Sequence, residues 1–260
     1  MNPSGEPPRA RHLEHVAIEV AEIAATFVRD RAGHAEAAAT KSSPTDVVTH
    51  TDIASERLIR SELLRRCPGS SIVGEEFDDA DGANNVGWVI DPIDGTVNYL
   101  YDLPVVSISI AGTIDGVVVA GAVADVHGAE TFSASAGEGA RQSRTPIAPA
   151  TPTGLDQALI ATGFAYDADL RAEQARTVSA LLPACRDIRC MGSAALNLCW
   201  VACGRLDGYY ERDLKLYDYA AGALVAAEAG AIVEPPSADN HDLTFAASPG
   251  IAAPLRPLIG

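Results

Sequence analysis

The chain has 260 residues, which is enough for one large domain or two tightly fused halves with a sizeable core. Its formal net charge is −16, and a surface of that sign repels nucleic acid and anionic membranes. No apolar run approaches the ~20 residues that a membrane-spanning helix needs. The polar, Pro-rich start lacks the order of a secretory signal, so we expect a disordered leader at 1–12 and a cytoplasmic protein.

The first half of the chain is predicted to contain two helices followed by an antiparallel series of strands. Helical spacing covers Leu13 to Arg31, and a polar, turn-rich segment at 41–51 precedes a second helix from about Thr51 to Arg66. Asp115-Gly116 is typical of a hairpin turn between two strands. The predicted strands are Ser71–Val73, Gly87–Ile90, Val105–Thr113, Val117–Val126 and Thr131–Ser135.

The second half of the chain alternates between the two types of element. The predicted strands are Ala158–Thr162, Arg186–Arg189, Leu206–Glu211, Ala231–Glu234 and Leu243–Ala246. The predicted helices are Leu170–Leu182, Ser193–Cys203 and Asp218–Ala229. Pro146–Pro152 is the plausible junction, so we divide the chain into halves at 13–150 and 151–260. The pattern favours a mixed α and β protein in stacked layers.

The strongest chemical signal is a strand that runs into Asp91-Pro92-Ile93-Asp94-Gly95-Thr96. Pro92 biases Asp91 toward an extended backbone, so two carboxylates three residues apart can point at one spot. Gly95 and Thr96 would open a helix whose first amides can bind phosphate oxygens. Mg²⁺ suits such a place because it takes carboxylates together with substrate phosphate. Helix capping explains an isolated Asp-x-x-Asp but not the whole string.

Other acids are ambiguous when each is taken alone. Glu75 and Glu76 follow a predicted strand, and adjacent acids there make sense if a cation is bound, although a solvated turn also explains Glu76. Asp218 opens a predicted helix, where an Asp is more often a cap than a ligand. Glu211 ends a strand and is equally undecided.

Taken together, the motifs resemble those of the inositol monophosphatase family, within the lithium-sensitive, magnesium-dependent phosphatases. They appear in order across residues 13–255, which makes the resemblance specific at family level. The motifs are Lys41-Ser42-Ser43-Pro44-Thr45-Asp46, Thr51-Asp52, Gly74-Glu75-Glu76, Trp88 to Thr96, Gly192-Ser193-Ala194-Ala195, Tyr209-Tyr210-Glu211 and Asp218-Tyr219-Ala220-Ala221-Gly222.

The resemblance implies a five-layer αβαβα sandwich that hydrolyses inositol monophosphate to myo-inositol and phosphate, assembled as a homodimer. It also implies two to three Mg²⁺ ions, held by Glu75, Asp91, the Ile93 carbonyl, Asp94 and Asp218. The implied catalytic residues are Asp52, Thr96 and Glu75, of which Asp52 and Thr96 orient and deprotonate the attacking water. The amides of Gly95 and Thr96 would hold the phosphate. The implied substrate contacts are Asp94, the Ala194 backbone and Glu211.

The sequence departs from the family pattern beside the implied substrate site. The family often has Trp just before the last metal Asp, where this chain has Tyr217, and His two positions earlier, where it has Lys215. Lys215 either contributes to substrate binding or is a solvated surface charge. A phosphatase for histidinol phosphate or for another sugar or nucleotide phosphate is the alternative enzyme, and a non-catalytic regulatory protein is the alternative class.

Overall fold

The structure is a computed structural model that describes residues 9–33, 37–40, 47–237 and 242–260. Its α-helices are α1 (Arg9–Arg29), α2 (His50–Arg66), α3 (Thr96–Leu100), α4 (Ala168–Leu181), α5 (Ala194–Ala202), α6 (Leu216–Ala229) and α7 (Pro249–Leu255). Its first strands are β1 (Ala37–Thr40), β2 (Val47–Thr49), β3 (Ser71–Gly74), β4 (Val86–Asp94), β5 (Ser107–Ile114), β6 (Val117–Asp125) and β7 (Thr131–Ser135). The remaining strands are β8 (Ala140–Gln142), β9 (Thr145–Pro146), β10 (Leu159–Thr162), β11 (Asp187–Cys190), β12 (Gly208–Arg212), β13 (Ile232–Glu234) and β14 (Leu243–Ala247).

The strands form two main sheets, each of which contains a parallel part. The seven-stranded sheet has the order β3-β4-β5-β6-β7-β8-β9; β3 is parallel to β4 and the rest is an antiparallel meander, as predicted. The five-stranded sheet has the order β11-β10-β12-β14-β13, with β10 parallel to both β11 and β12. A small antiparallel pair, β1 and β2, lies beside them.

The layers stack in the predicted αβαβα order. Helices α1 and α2 cover one face of the seven-stranded sheet, where Val20 and Ile59 share a core with Trp88. Helices α5 and α6 fill the space between the two sheets through residues such as Leu198 and Val225. Helix α7 and the end of α4 cover the outer face of the five-stranded sheet. Among the described residues, no helix is long and apolar enough to cross a membrane.

The close approach of α6 to its neighbours depends on two glycines. A Cβ at Gly222 would lie 2.9 Å from the Leu198 Cβ of α5, and one at Gly121 would lie 3.0 Å from the Ala221 oxygen of α6. Any larger residue would push the elements apart, because packed interiors have no spare volume. Helix α6 is therefore held against both α5 and β6, which fixes where its first turn begins.

The boundaries differ from the predictions in ways that have local causes. Helix α1 begins at Arg9, within the segment expected to be a leader, and residues 1–8 lie outside the described residues. Residues 41–46 of the predicted polar segment also lie outside them. Strand β4 continues through Asp94, with its pairing to β5 shifting between Asp91 and Asp94. The short elements β1, β8, β9 and α7 were not predicted, because they are too short to show a period.

Candidate active site

The two sheets direct the carboxyl ends of their parallel strands at one cavity of about 650 Å³. Glu75 follows β3, and Asp91 and Asp94 lie at the end of β4. Across the cavity, Gly163 follows β10, and Glu211 lies near the end of β12. Such strand ends are the usual ligand site of open α/β sheets, because loops and helix starts meet there. The fold therefore brings together acids that are far apart in sequence.

Asp91 lies at the centre of a cluster of buried carboxylates. Its side chain is 2% exposed, and Oδ1 accepts a hydrogen bond from the Ile93 amide at 3.0 Å. Burial, together with the charges of Glu75, Asp94 and Asp218, raises the pKa of Asp91 well above its ordinary value. Among the described residues, no basic side chain forms an ion pair with Asp91 or Asp94. Within the described residues, the charge of these two carboxylates is therefore not offset by a salt bridge.

Asp94 also binds the start of α5, a role that the sequence did not reveal. Its Oδ2 accepts bonds from the Ser107 hydroxyl at 3.0 Å, the Ala195 amide at 2.9 Å and the Ser193 hydroxyl. Its Oδ1 accepts the Ala194 amide at 3.1 Å. Burial raises the pKa of Asp94, although these donors oppose the shift. The Ala194 amide, which was predicted to contact substrate, therefore donates a hydrogen bond to Asp94, which was also predicted to contact substrate.

The donor set fits a hard divalent cation. Glu75, Asp91, Asp94 and Asp218 offer carboxylate oxygens, and Ile93 adds a carbonyl, which are the ligands that Mg²⁺ prefers. Within the described parts of the chain, no three acidic, His or Cys side chains already form a metal-binding group. The oxygen donors are gathered at one place but are not arranged as a complete coordination shell.

Asp218 has a structural partner as well as a place in the cluster. Asp218 is the third residue of α6, and its Oδ2 accepts the amide of Lys215, the residue just before the helix, at 2.6 Å, so it closes the first turn as the acidic member of a capping box does. Burial and the charges of Glu75, Asp94 and Glu211 raise its pKa well above the ordinary value. The capping role and a ligand role are compatible, because a carboxylate has two oxygens.

Asp52 and Thr96 form a hydrogen-bonded pair at the edge of the cluster. The two oxygens of the fully buried Asp52 are divided between partners: Oδ2 accepts the Thr49 amide at 2.9 Å and the Thr49 hydroxyl, and Oδ1 accepts the Thr96 hydroxyl at 3.0 Å. Burial raises the pKa of Asp52, which makes it a stronger base than an exposed Asp. The Thr96 oxygen also lies 3.0 Å from the Ile93 carbonyl oxygen.

Glu211 lies on the far side of the cavity. Its Oε2 accepts the Tyr209 hydroxyl at 2.7 Å, and burial raises its pKa to about 7. A Cβ at Gly163 would overlap this carboxylate, so the glycine leaves the space that Glu211 occupies. The arrangement presents a carboxylate that can accept hydrogen bonds from a polyol.

The basic side chains at the cavity include Lys215, which the sequence singled out, and Arg171, which it did not. Lys215 lines the cavity, but its Nζ lies 3.1 Å from Asp213 Oδ1 and the side chain is 60% exposed, so much of its charge is neutralised or screened. Arg171, in the first turn of α4, also lines the cavity and forms no ion pair among the described residues. Arg171, Tyr166, Cys190 and Met191 line the cavity but were not predicted from the sequence. Cys190 and Met191 could have been found from their position at, or just after, the end of a parallel strand, whereas Tyr166 and Arg171 lie further along the chain.

Comparison with known proteins gives consistent results over the whole length. The model for the inositol monophosphatase family matches residues 9–258. The chain is 44% identical to inositol-1-monophosphatase SuhB of Mycobacterium tuberculosis over 275 residues, which cover 97% of this chain and 94% of that protein. A solved structure of Mycobacterium tuberculosis SuhB superposes with a TM-score of 0.82 at 41% identity, covering 98% of this chain and 97% of the other. The Nus factor SuhB of Escherichia coli is 39% identical over 197 residues, or 75% of this chain and 74% of that protein.

The sandwich fold and the acidic cavity, with these similarities, define a phosphatase that hydrolyses phosphoric monoesters. Within that class the chain belongs to the inositol monophosphatase family, which confirms the resemblance seen in the sequence.

The carboxylate cluster predicts that a divalent cation stabilises the protein more at high pH than at low pH. Raised pKa values mean that the folded state keeps protons that the unfolded state releases from about pH 4 upward, so the free energy of unfolding of the cation-free protein falls as pH rises. The cation concentration is fixed at ~100 times the dissociation constant that applies at pH 8. It should raise Tm by about 5 °C near pH 8 and by much less near pH 5, where binding is weaker.

The measurement is thermal unfolding at both pH values with Mn²⁺ or with EDTA. Asp91→Asn should reduce the effect of Mn²⁺, whereas Asp78→Asn in the exposed acidic loop should not. An equal Tm shift at both pH values would show that the cation binds elsewhere.

Proposed function

We propose that this protein hydrolyses inositol monophosphate to myo-inositol and phosphate in a Mg²⁺-dependent reaction. The observation that carries the proposal is the cluster of buried carboxylates beside the Asp52–Thr96 pair, in a cavity that also contains Glu211. An acidic cavity repels a phosphate ester unless cations are bound in it. The same cluster therefore accounts for both the metal requirement and the anionic substrate.

The protein residues that would hold the ions follow from the donor set. Glu75, Asp91 and the Ile93 carbonyl would hold one ion, and Asp91, Asp94 and Asp218 a second, with Glu75 sharing in a weaker third. When bound, the ions supply charge neutralisation to the phosphoryl group and acidify a water molecule. Ligation of Asp94 would weaken its bonds to Ser193 and Ala195, so ion binding and the position of the α5 start are coupled.

The water is activated by the chain itself through Asp52 and Thr96. With its hydrogen directed at Asp52 Oδ1, the Thr96 hydroxyl can accept a proton from the water while its own proton passes to the Asp52 carboxylate. Thr49 holds the other Asp52 oxygen, so the carboxylate cannot rotate away. The amides of Gly95 and Thr96 lie beside this hydroxyl. They would hold the phosphate so that it faces the attacking water.

Glu211 supports a polyol as the alcohol part of the ester. Its carboxylate lies across the cavity from the phosphate side and can accept bonds from neighbouring hydroxyls. Histidinol phosphate is the alternative substrate and would use Glu211 as a partner for its ammonium group. A regulatory role is the alternative class, favoured by the name of the Escherichia coli relative as a Nus factor. Lithium sensitivity, a homodimer and a cytoplasmic location stay predictions from the family resemblance.

Removing the Thr96 hydroxyl should slow the reaction with every substrate. Thr96→Ala breaks the link between Asp52 and the water, so we expect kcat to fall by ~10²-fold or more while KM changes little. The control is Thr113→Ala. Thr113 lies at the end of β5 that is away from Asp94, so this variant should keep the wild-type kcat. Phosphate release in saturating Mg²⁺ measures both. A near-native kcat for Thr96→Ala would remove the pair from the mechanism.

Replacing Glu211 should affect substrate choice rather than general activity. Glu211→Gln should lower kcat/KM for inositol 1-phosphate by ~10-fold or more, but leave hydrolysis of phenyl phosphate, which has no free hydroxyls, nearly unchanged. Equal losses on both monoesters in Glu211→Gln would contradict the assignment of Glu211 to the polyol.

Lys215→Ala, by contrast, should change the ratio of kcat/KM between inositol 1-phosphate and fructose 1,6-bisphosphate by less than about 5-fold, because Asp213 already pairs with the lysine.

A further inference from the structure

One face of α2 contacts three separate parts of the active site. Asp52 on this face binds Thr96, and the Ser55 hydroxyl donates to the Pro92 carbonyl at 3.0 Å. Glu56, one residue further on, is the third member and has no part in the function proposed above. All three side chains are completely buried. The spacing i, i+3 and i+4 places them side by side on the helix.

The Glu56 carboxylate is bonded to the loop that carries Glu75. Its Oε2 accepts the Glu76 amide at 2.7 Å, and its Oε1 accepts the Arg60 Nε at 2.8 Å. The Arg60 Nη2 in turn donates to the Phe77 carbonyl at 3.2 Å. Glu56 and Arg60 therefore bind the backbone of the two residues that directly follow Glu75.

Gly74, the residue before Glu75, packs closely against the same two side chains, Glu56 and Arg60. A Cβ at position 74 would overlap the Glu56 carboxylate and lie 2.8 Å from the Arg60 Nη2. The backbone at 74 can approach this ion pair only because the residue is a glycine. The loop is thus held before and after Glu75 by the same two side chains of α2.

We infer that Glu56, together with Arg60, positions Glu75 for cation binding. A buried ion pair contributes little net stability compared with apolar residues of similar volume, because both charges lose their hydration. Here the pair fixes a short loop whose only acid directed into the cavity is Glu75. Groups that orient a metal ligand without touching the metal commonly change metal affinity by ~10–100-fold when they are removed.

The inference rests on the proposed function, since it concerns the affinity for the cation that this function requires. Its test compares Glu56→Gln with a matched control on the same helix. Glu62 pairs with Arg66 at the same i, i+4 spacing but faces away from the cavity, so Glu62→Gln removes a similar ion pair without touching the loop.

The experiment is calorimetric titration of the full chain with Mn²⁺, supported by Mg²⁺-dependent phosphate release and by thermal unfolding in EDTA. Glu56→Gln should raise the Mn²⁺ dissociation constant by ~10-fold or more and keep kcat at saturating Mg²⁺ within about twofold of the wild type. Glu62→Gln should leave the dissociation constant unchanged. Gly74→Ala tests the same contact independently, because the added methyl group displaces the Glu56 carboxylate, and it should also weaken Mn²⁺ binding.

The inference is overturned if Glu56→Gln and Gly74→Ala bind Mn²⁺ with the same dissociation constant as Glu62→Gln, even if their Tm is lowered. Glu56 would then form a purely structural ion pair. Failure of the proposed function looks different. In that case the wild-type protein itself binds no Mn²⁺, or it releases no phosphate from inositol 1-phosphate in saturating Mg²⁺.

Discussion

The burial of several carboxylates around Asp91 is the constraint on which the rest of the site depends. Carboxylates that are buried together repel one another, and a protein keeps such a cluster only where a cation or a proton offsets it. No basic side chain in the described ranges is paired with Asp91 or Asp94, whereas Glu62 and Glu130, away from the cluster, have arginine partners.

The fold places these charges by using the parallel parts of two otherwise antiparallel sheets. The ends of β3 and β4 carry the acids proposed to bind metal, and the ends of β10 and β12 form the side of the cavity proposed to bind substrate. Helices α2, α5 and α6 hold these ends in position. Asp94 directly links the seven-stranded sheet to α5, since it accepts bonds from both Ser107 of β5 and the start of α5. A change in Asp94 would accordingly alter both ion binding and the packing of α5.

The sequence predicted the elements and the acidic motifs well, because hydrophobic period and the Asp91–Thr96 string are local signals. The partners of those motifs depend on tertiary contacts and could not be predicted: Ser193 on Asp94, Tyr209 on Glu211, and Asp213 on Lys215. Lys215 illustrates the limit, because its sequence position near Asp218 left open whether it binds substrate or is a surface charge, and its ion pair with Asp213 is a contact that the sequence does not show. Arg171 is the converse case, since nothing local distinguishes it from other exposed arginines until α4 brings it to the cavity.

The central claim is that the cluster binds divalent cations, and anomalous scattering from crystals soaked in Mn²⁺ tests it most directly. The account predicts a peak coordinated by Asp91 with Glu75 and the Ile93 carbonyl, and another by Asp91 with Asp94 and Asp218. A map without anomalous peaks in this cavity, at Mn²⁺ concentrations that support phosphate release, would contradict it.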